Sequence, residues 1–171
     1  GGREYYNHPN YKKEDKPTII HQSSATGMQA IPTTGIAQGL KFLAQTNNTL
    51  LKKGPGGEMP VVICSLGDAS VTEGEVSEAF QFAALHQLPI IYLVQDNDWG
   101  ISVTGSEART TTAFEFIEGF KGIERVTVDG SNFEESFNVM QQTIAAVRKN
   151  RKPWLVHAKV PLLGHHTSGV R

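Results

Sequence analysis

Val61-Val62-Ile63-Cys64-Ser65-Leu66-Gly67-Asp68-Ala69-Ser70-Val71-Thr72-Glu73-Gly74 is the stretch on which the fold turns. It opens with a short β-branched run between polar flanks, the pattern of a buried strand. Ser70 and Glu73 fit a capping box, in which each side chain satisfies a backbone donor at a helix start. A helix is therefore expected through Val76, Ala79, Phe80, Ala83 and Ala84 to about His86. Pro89 then introduces a second buried strand over 90–94.

The alternation continues outward from this unit. A loop is expected over 95–105, a short helix near 112–120, a strand over 123–128 and a last strand over 154–160. Phe133, Phe137, Met140, Ile144 and Val147 alternate steps of four and three, the spacing of an amphipathic helix. Upstream, residues 1–35 read mostly as loop, and Ile36, Leu40, Leu43 and Ala44 share one face of a helix over 35–45. Strands alternating with helices imply an α/β fold, a mostly parallel sheet with helices on both faces. Ligands of such sheets bind beyond the carboxyl ends of the strands. The loops after Leu66, Val94 and Val160 are those ends, and they carry Asp68, Asn97 and the pair His165-His166.

Composition narrows the function. The 171 residues suffice for one domain, taken as 1–171, and the unfinished look of both ends suggests a piece of a longer chain. Sixteen Lys and Arg against 17 Asp and Glu give no electrostatic case for nucleic acid or an anionic membrane. No stretch has the roughly 20 apolar residues of a membrane span. The single cysteine, Cys64, lies in an apolar run and excludes a disulfide framework. A reducing, cytosol-like compartment is expected; composition does not separate a bacterial cytoplasm, the preferred reading, from a mitochondrial matrix.

Asp68 and Asn97 each follow a strand. Adjacent parallel strands would bring them together as hard oxygen ligands suited to Mg²⁺ or Ca²⁺. Small residues at Gly67, Ala69 and Ser70 admit a ligand close to the backbone, and the helix that follows favours a phosphate. The alternative is that Asp68 merely starts a helix and Asn97 merely forms a turn. His86 and His157 have no metal-ligand spacing and read as structural, as do His8 and His21.

Gly67-Asp68-Ala69, 26 residues, then Asp96-Asn97 resembles the GDG…NN signature of thiamine-diphosphate enzymes. Gly1-Gly2-Arg3, Ala30-Ile31-Pro32, Glu73-Gly74, Ala83-Ala84, Leu88-Pro89-Ile90-Ile91, Gly100-Ile101-Ser102, Val128-Asp129-Gly130 and Gly164-His165-His166 extend the likeness along the chain. Together they are similar to the alpha subunit of the decarboxylating component of 2-oxo acid dehydrogenases, and the paired histidine is closest to the branched-chain, 2-oxoisovalerate enzyme.

The resemblance implies a thiamin diphosphate-binding fold, here its diphosphate-binding half. It implies oxidative decarboxylation of a small 2-oxo acid, with acyl transfer to a lipoyl group on an acyltransferase component. Mg²⁺ would be held by Asp68, Asn97 and the Trp99 carbonyl. Gly67, Asp68, Ala69, Ser70, Gln95, Asn97 and Ile101 would serve the diphosphate side of the cofactor, and Ala25, Gly27 and Met28 its aminopyrimidine. His166, with His165 beside it, would assist acyl transfer. A beta subunit, or a beta half of the same chain, would supply the glutamate that activates the cofactor, in a heterotetramer.

Departures from the family pattern are Ala69 for a glycine, Gln95 for an arginine, and Asp96 and Asp98, which put extra carboxylates beside a diphosphate. Thr167 takes a regulatory serine position but lacks the acidic residues that usually follow. Sister pyruvate or acetoin enzymes share the pattern. Two readings of other classes are a non-catalytic assembly fragment and a Rossmann-type nucleotide-binding domain. Against the latter, no G-x-G-x-x-G follows a strand.

Overall fold

The computed structural model describes residues 16–20 and 25–166. Gly1-Gly2-Arg3, His8, His21 and Thr167 lie outside the described residues. The elements run α1 (Ala30–Gln45), β1 (Val62–Gly67), a 3₁₀ turn (Ala69–Thr72), α2 (Gly74–His86), β2 (Ile90–Asp96), β3 (Trp99–Gly100), β4 (Val103–Thr104), α3 (Gly105–Ala108), α4 (Ala113–Phe116), a second 3₁₀ turn (Ile117–Gly119), β5 (Glu124–Asp129), α5 (Phe133–Asn150) and β6 (Trp154–Lys159). The main sheet has the order β1-β2-β6-β5, with every pairing parallel. β3 and β4 form a small antiparallel hairpin.

The period of two along each strand separates two cores. Cys64, Leu66, Tyr92, Val94 and Leu155 face α1, α2 and Ala113 of α4. Ile91, Val128, Val156 and Ala158 face α5 through Val147, Ile144 and Met140. The α/β sheet with helices on both faces is thus as expected. No helix among the described residues is long and apolar enough to cross a membrane.

Four local expectations are corrected. First, α1 starts at Ala30 rather than 35, because a proline in the first helical turn forfeits no hydrogen bond. Its buried face is Ala30, Thr33, Thr34 and Ala37, whereas Ile36 is exposed. Second, Ser70 and Glu73 form no capping box. Ser70 Oγ donates to the Gly67 carbonyl at 2.6 Å, and α2 begins only at Gly74. A tight 3₁₀ turn replaces the expected first helical turn, though the buried face of α2 is the expected one: Val76, Ala79, Phe80, Ala83 and Ala84. Third, β2 continues through Asp96, and the expected loop after it folds as the β3–β4 hairpin. Fourth, Phe133 and Phe137 of α5 are exposed and stack on each other at 6.0 Å, so only the later part of the apolar stripe reaches the sheet.

Tyr92 ties β2 to both helices above it. Its hydroxyl lies 2.6 Å from Thr34 Oγ1 on α1 and donates to the Ala79 carbonyl on α2 at 3.2 Å. Beneath it, Cys64 is 2% exposed, and burial pushes its thiol up to about 11. This is the environment of an inert structural cysteine.

Tyr92→Phe should keep the ring packing but strand the Thr34 hydroxyl, at a cost of about 1–2 kcal/mol. The expected result in urea is a lower midpoint with an unchanged slope. An unchanged midpoint would show that the bridge contributes nothing to stability.

Candidate functional site

The strand register decides where the site lies. Gly67 pairs with Gln95, so the residues that leave β1 and β2 emerge side by side at the carboxyl edge. Asp68 begins the 3₁₀ turn, is 2% exposed, and accepts the Asn97 amide through Oδ1 at 3.4 Å. Asn97 closes an Asx turn by accepting Trp99 N–H at 3.0 Å. That turn starts the hairpin, and the left-handed backbone at Asp98 (φ +63°) and Ile101 (φ +62°) reverses the chain.

These elements frame a cavity of about 390 Å³. Gly67, Asp68, Ala69 and Ser70 line it from β1 and the turn, Gln95, Asn97, Trp99 and Ile101 from β2 and the hairpin, and Ala25 and Gly27 from the loop before α1. His166 lines it from the loop after β6. Of the residues expected at the site, Met28 and His165 do not line the cavity, and both are exposed. Gly27 has φ +82°, and a Cβ there would stand 3.0 Å from Glu73 Cβ, so a side chain would push toward α2.

The departures at Ala69 and Gln95 acquire a physical meaning. A Cβ added to Gly100 would lie 2.9 Å from the Ala69 methyl, so Gly100 supplies the room that the methyl takes. Gln95 Oε1 accepts Ser65 Oγ at 2.7 Å, which leaves its amide nitrogen as the end that can meet an anion. His166 Nδ1 accepts the Ile101 amide at 3.2 Å. In a neutral ring that contact assigns the proton to Nε2 and makes that nitrogen the donor.

Asp96 and Asp98, for which the sequence offers no partner, have one. Arg109 Nη2 lies 2.5 Å from Asp68 Oδ2, 3.5 Å from Asp96 Oδ1 and 3.4 Å from Asp98 Oδ1. It donates to the two latter oxygens. Its contact with Asp68 is the shortest of the three and the most buried. The short helix α3 delivers this arginine. Thr104 and Glu107 close a capping box at its start, Gly105 N–H bonds to the Asp98 carbonyl at 2.9 Å, and Arg109 N–H bonds to the Gly105 carbonyl at 2.9 Å.

Arg109 is the residue of this charge cluster that sequence reasoning misses. The available signal is that it is the only Lys or Arg between residues 54 and 120, a segment with ten acidic residues.

His157 is buried in β6 and places Nε2 2.7 Å from Asp96 Oδ2. With the proton on Nε2, its buried and unpartnered Nδ1 is a lone pair rather than a stranded N–H, the cheaper of the two arrangements. The His157 hydrogen bond lowers the Asp96 carboxyl to about 2. Asp68 shifts the other way: burial first, then the Asp96 charge, raise it, and Arg109 only partly counters them.

Asp68, the Asn97 carboxamide and the Trp99 carbonyl are all hard oxygen donors, a set suited to Mg²⁺ or Ca²⁺. An almost fully buried carboxylate at the cavity wall, Asp68 at 2% exposure, fits that use. Among the described residues no cluster of three His, Cys, Asp or Glu could hold a metal, so a softer site of the zinc type has no donor set here.

The chain belongs to the dehydrogenase E1 component family, whose sequence profile matches residues 2–169. It is 32% identical over 111 residues to the 3-methyl-2-oxobutanoate dehydrogenase subunit alpha of Mycobacterium tuberculosis, covering 65% of this chain and 30% of that protein. It is 33% identical over 127 residues to the pyruvate dehydrogenase E1 component subunit alpha of Rickettsia felis, covering 72% and 35%. Transketolase from Campylobacter jejuni superposes with a TM-score of 0.66 at 25% identity, covering 82% of this chain and 20% of that one. The expected family and the expected α/β fold are both borne out. The chain spans about a third of the length of these curated relatives.

The folded-state pKa of Asp96 lies below its unfolded value of about 3.9. Its ionised form therefore contributes stability that is present above pH ~4 and is lost as pH falls toward ~2. Asp96→Asn removes this increment, about 2 kcal/mol. The gap in unfolding free energy between wild type and variant should be widest near neutrality and shrink between pH 4 and 2. A gap independent of pH would exclude the His157–Asp96 interaction as its source.

Proposed function

We propose that this segment is the diphosphate- and Mg²⁺-binding half of the alpha subunit of a thiamine-diphosphate-dependent 2-oxo acid dehydrogenase. The observation that carries the proposal is the convergence of Asp68, Asn97, Trp99, Gly27 and His166 on one cavity at the ends of β1 and β2. The E1 family membership supports the same reading.

Asp68, Asn97 and the Trp99 carbonyl would hold Mg²⁺. The only acidic and basic side chains lining the cavity among the described residues are Asp68, Glu73 and His166, with no Lys or Arg. The metal is therefore the main positive charge available to a diphosphate here. Gly67, Ala69, Ser70 and Gln95 contribute close backbone and neutral donors, and Ile101 lines the same side of the cavity. Gly27 and Ala25 abut the aminopyrimidine end, with Met28 at the margin. When bound, thiamine diphosphate supplies the electron sink for loss of carbon dioxide. This chain would anchor and orient it, and His166 Nε2–H would be the donor available to an acyl group bound for the lipoyl carrier. His165, on the exposed side of the same loop, assists from outside the cavity.

The preferred substrate is a branched-chain 2-oxo acid, on the strength of the paired histidines. The Rickettsia relative, at similar identity, favours pyruvate as the second reading. The activating glutamate comes from a beta subunit or beta half, and the acyl acceptor is a lipoyl acyltransferase. Bacterial relatives support a cytoplasmic setting.

In the complete assembly, Asp68→Ala should abolish Mg²⁺-dependent binding of thiamine diphosphate in calorimetry. Unchanged affinity would remove Asp68 from the site. His166→Ala should leave decarboxylation with an artificial electron acceptor within about twofold and lower lipoyl acylation by about 10²-fold or more, the usual scale for a lost general acid. Equal loss in both assays would remove the transfer role. Running the assays with 3-methyl-2-oxobutanoate and pyruvate side by side decides the substrate, since faster turnover of pyruvate would establish the second reading.

A further inference from the structure

We propose that Arg109 is an internal counter-ion that occupies the Asp68 carboxylate while no divalent cation is bound, and that the metal must displace it, so that Arg109 sets the cation affinity of the site. This inference rests on the reading of Asp68 as a metal ligand.

Three observations carry it. The first is charge. Asp68, Asp96 and Asp98 bring three carboxylates to one nitrogen of one guanidinium. Leaving His157 aside, the cluster keeps two negative charges, which a divalent cation would neutralise. The second is geometry. Arg109 Nη2 stands 2.5 Å from Asp68 Oδ2, within the space a ligated metal would need. Arginine and metal cannot both occupy that oxygen at such a distance without direct cation–cation repulsion. The third is the set of remaining contacts. Arg109 also donates hydrogen bonds to Asp96 and Asp98, so two carboxylates still hold the guanidinium once Asp68 is released. The exchange leaves no charge stranded at either stage: Asp68 passes from Arg109 to the metal, and Arg109 rests on the pair beyond it.

Gly105 is part of the device. A Cβ there would fall 2.0 Å from Asp98 Oδ1 and 2.6 Å from Arg109 Nη2, so the absence of a side chain lets Asp98 and Arg109 meet. The capped helix α3 makes the arrangement local and rigid, and only the end of the Arg109 side chain has to move.

The test uses the complete protein, free of cofactor, with Mn²⁺ as the probe and free Mn²⁺ read by electron paramagnetic resonance. Arg109→Gln should bind Mn²⁺ more tightly than wild type by about tenfold, the order expected for removing one charge a few ångströms away at a partly screened site. Arg109→Lys keeps the charge on a shorter side chain that reaches Asp68 less closely, and should tighten binding by a few-fold only. It also serves as the folded comparison should Arg109→Gln prove unstable. Equal or weaker Mn²⁺ affinity in both variants overturns the proposal. Asp68→Asn separates this failure from that of the underlying reading. If Asp68→Asn abolishes Mn²⁺ binding while the Arg109 variants leave it unchanged, Asp68 is a ligand and Arg109 is no competitor. If Asp68→Asn binds Mn²⁺ as wild type does, or wild type binds none, the ligand reading fails and this inference falls with it.

Discussion

Two carboxylates at the ends of neighbouring parallel strands are the constraint around which the carboxyl edge of this sheet is organised. Asp68 leaves β1 and Asp96 ends β2, and the register of those strands keeps them close. Each raises the electrostatic cost of the other, which is why burial and the Asp96 charge both push the Asp68 carboxyl upward. The fold answers on two sides. His157, from the next strand over, takes the far oxygen of Asp96, and Arg109 comes back from the hairpin to stand among the acids. The hairpin, the Asx turn at Asn97 and the capped helix α3 can all be understood as the means of returning one cation to that place.

The same sheet is covered unevenly. α5 packs chiefly on β5, β6 and β2, while β1 lies at the edge and leaves Ile63 46% exposed on the face that α5 serves elsewhere. Across the sheet, Ile31, Ile36 and Phe42 of α1 are exposed as well.

What the sequence makes legible follows from how local the cause is. The β1–α2–β2 unit reads directly, because β-branched runs and a clean apolar stripe depend on near neighbours alone. The start of α1 does not, because its buried face carries Thr33 and Thr34, polar residues whose burial depends on tertiary partners such as the Tyr92 hydroxyl. Ser70 and Glu73 mislead for a related reason. A capping box and a 3₁₀ turn draw on the same serine hydroxyl, and here the Gly67 carbonyl takes it. Asp68, Asn97 and Trp99 could be placed from spacing and resemblance. Arg109 could not, since its role exists only once α3 folds it back over eleven residues onto Asp98.

The hydrogen bond from Ile101 to His166 also has a cost in backbone strain. Ile101 is a β-branched residue held at φ +62°, a backbone state that costs on the order of 1–3 kcal/mol. The contact that this posture offers to His166 is a single exposed hydrogen bond, worth about 1 kcal/mol. The bond does not repay the posture by itself, so the β3–β4 hairpin around Ile101 has to carry the remainder.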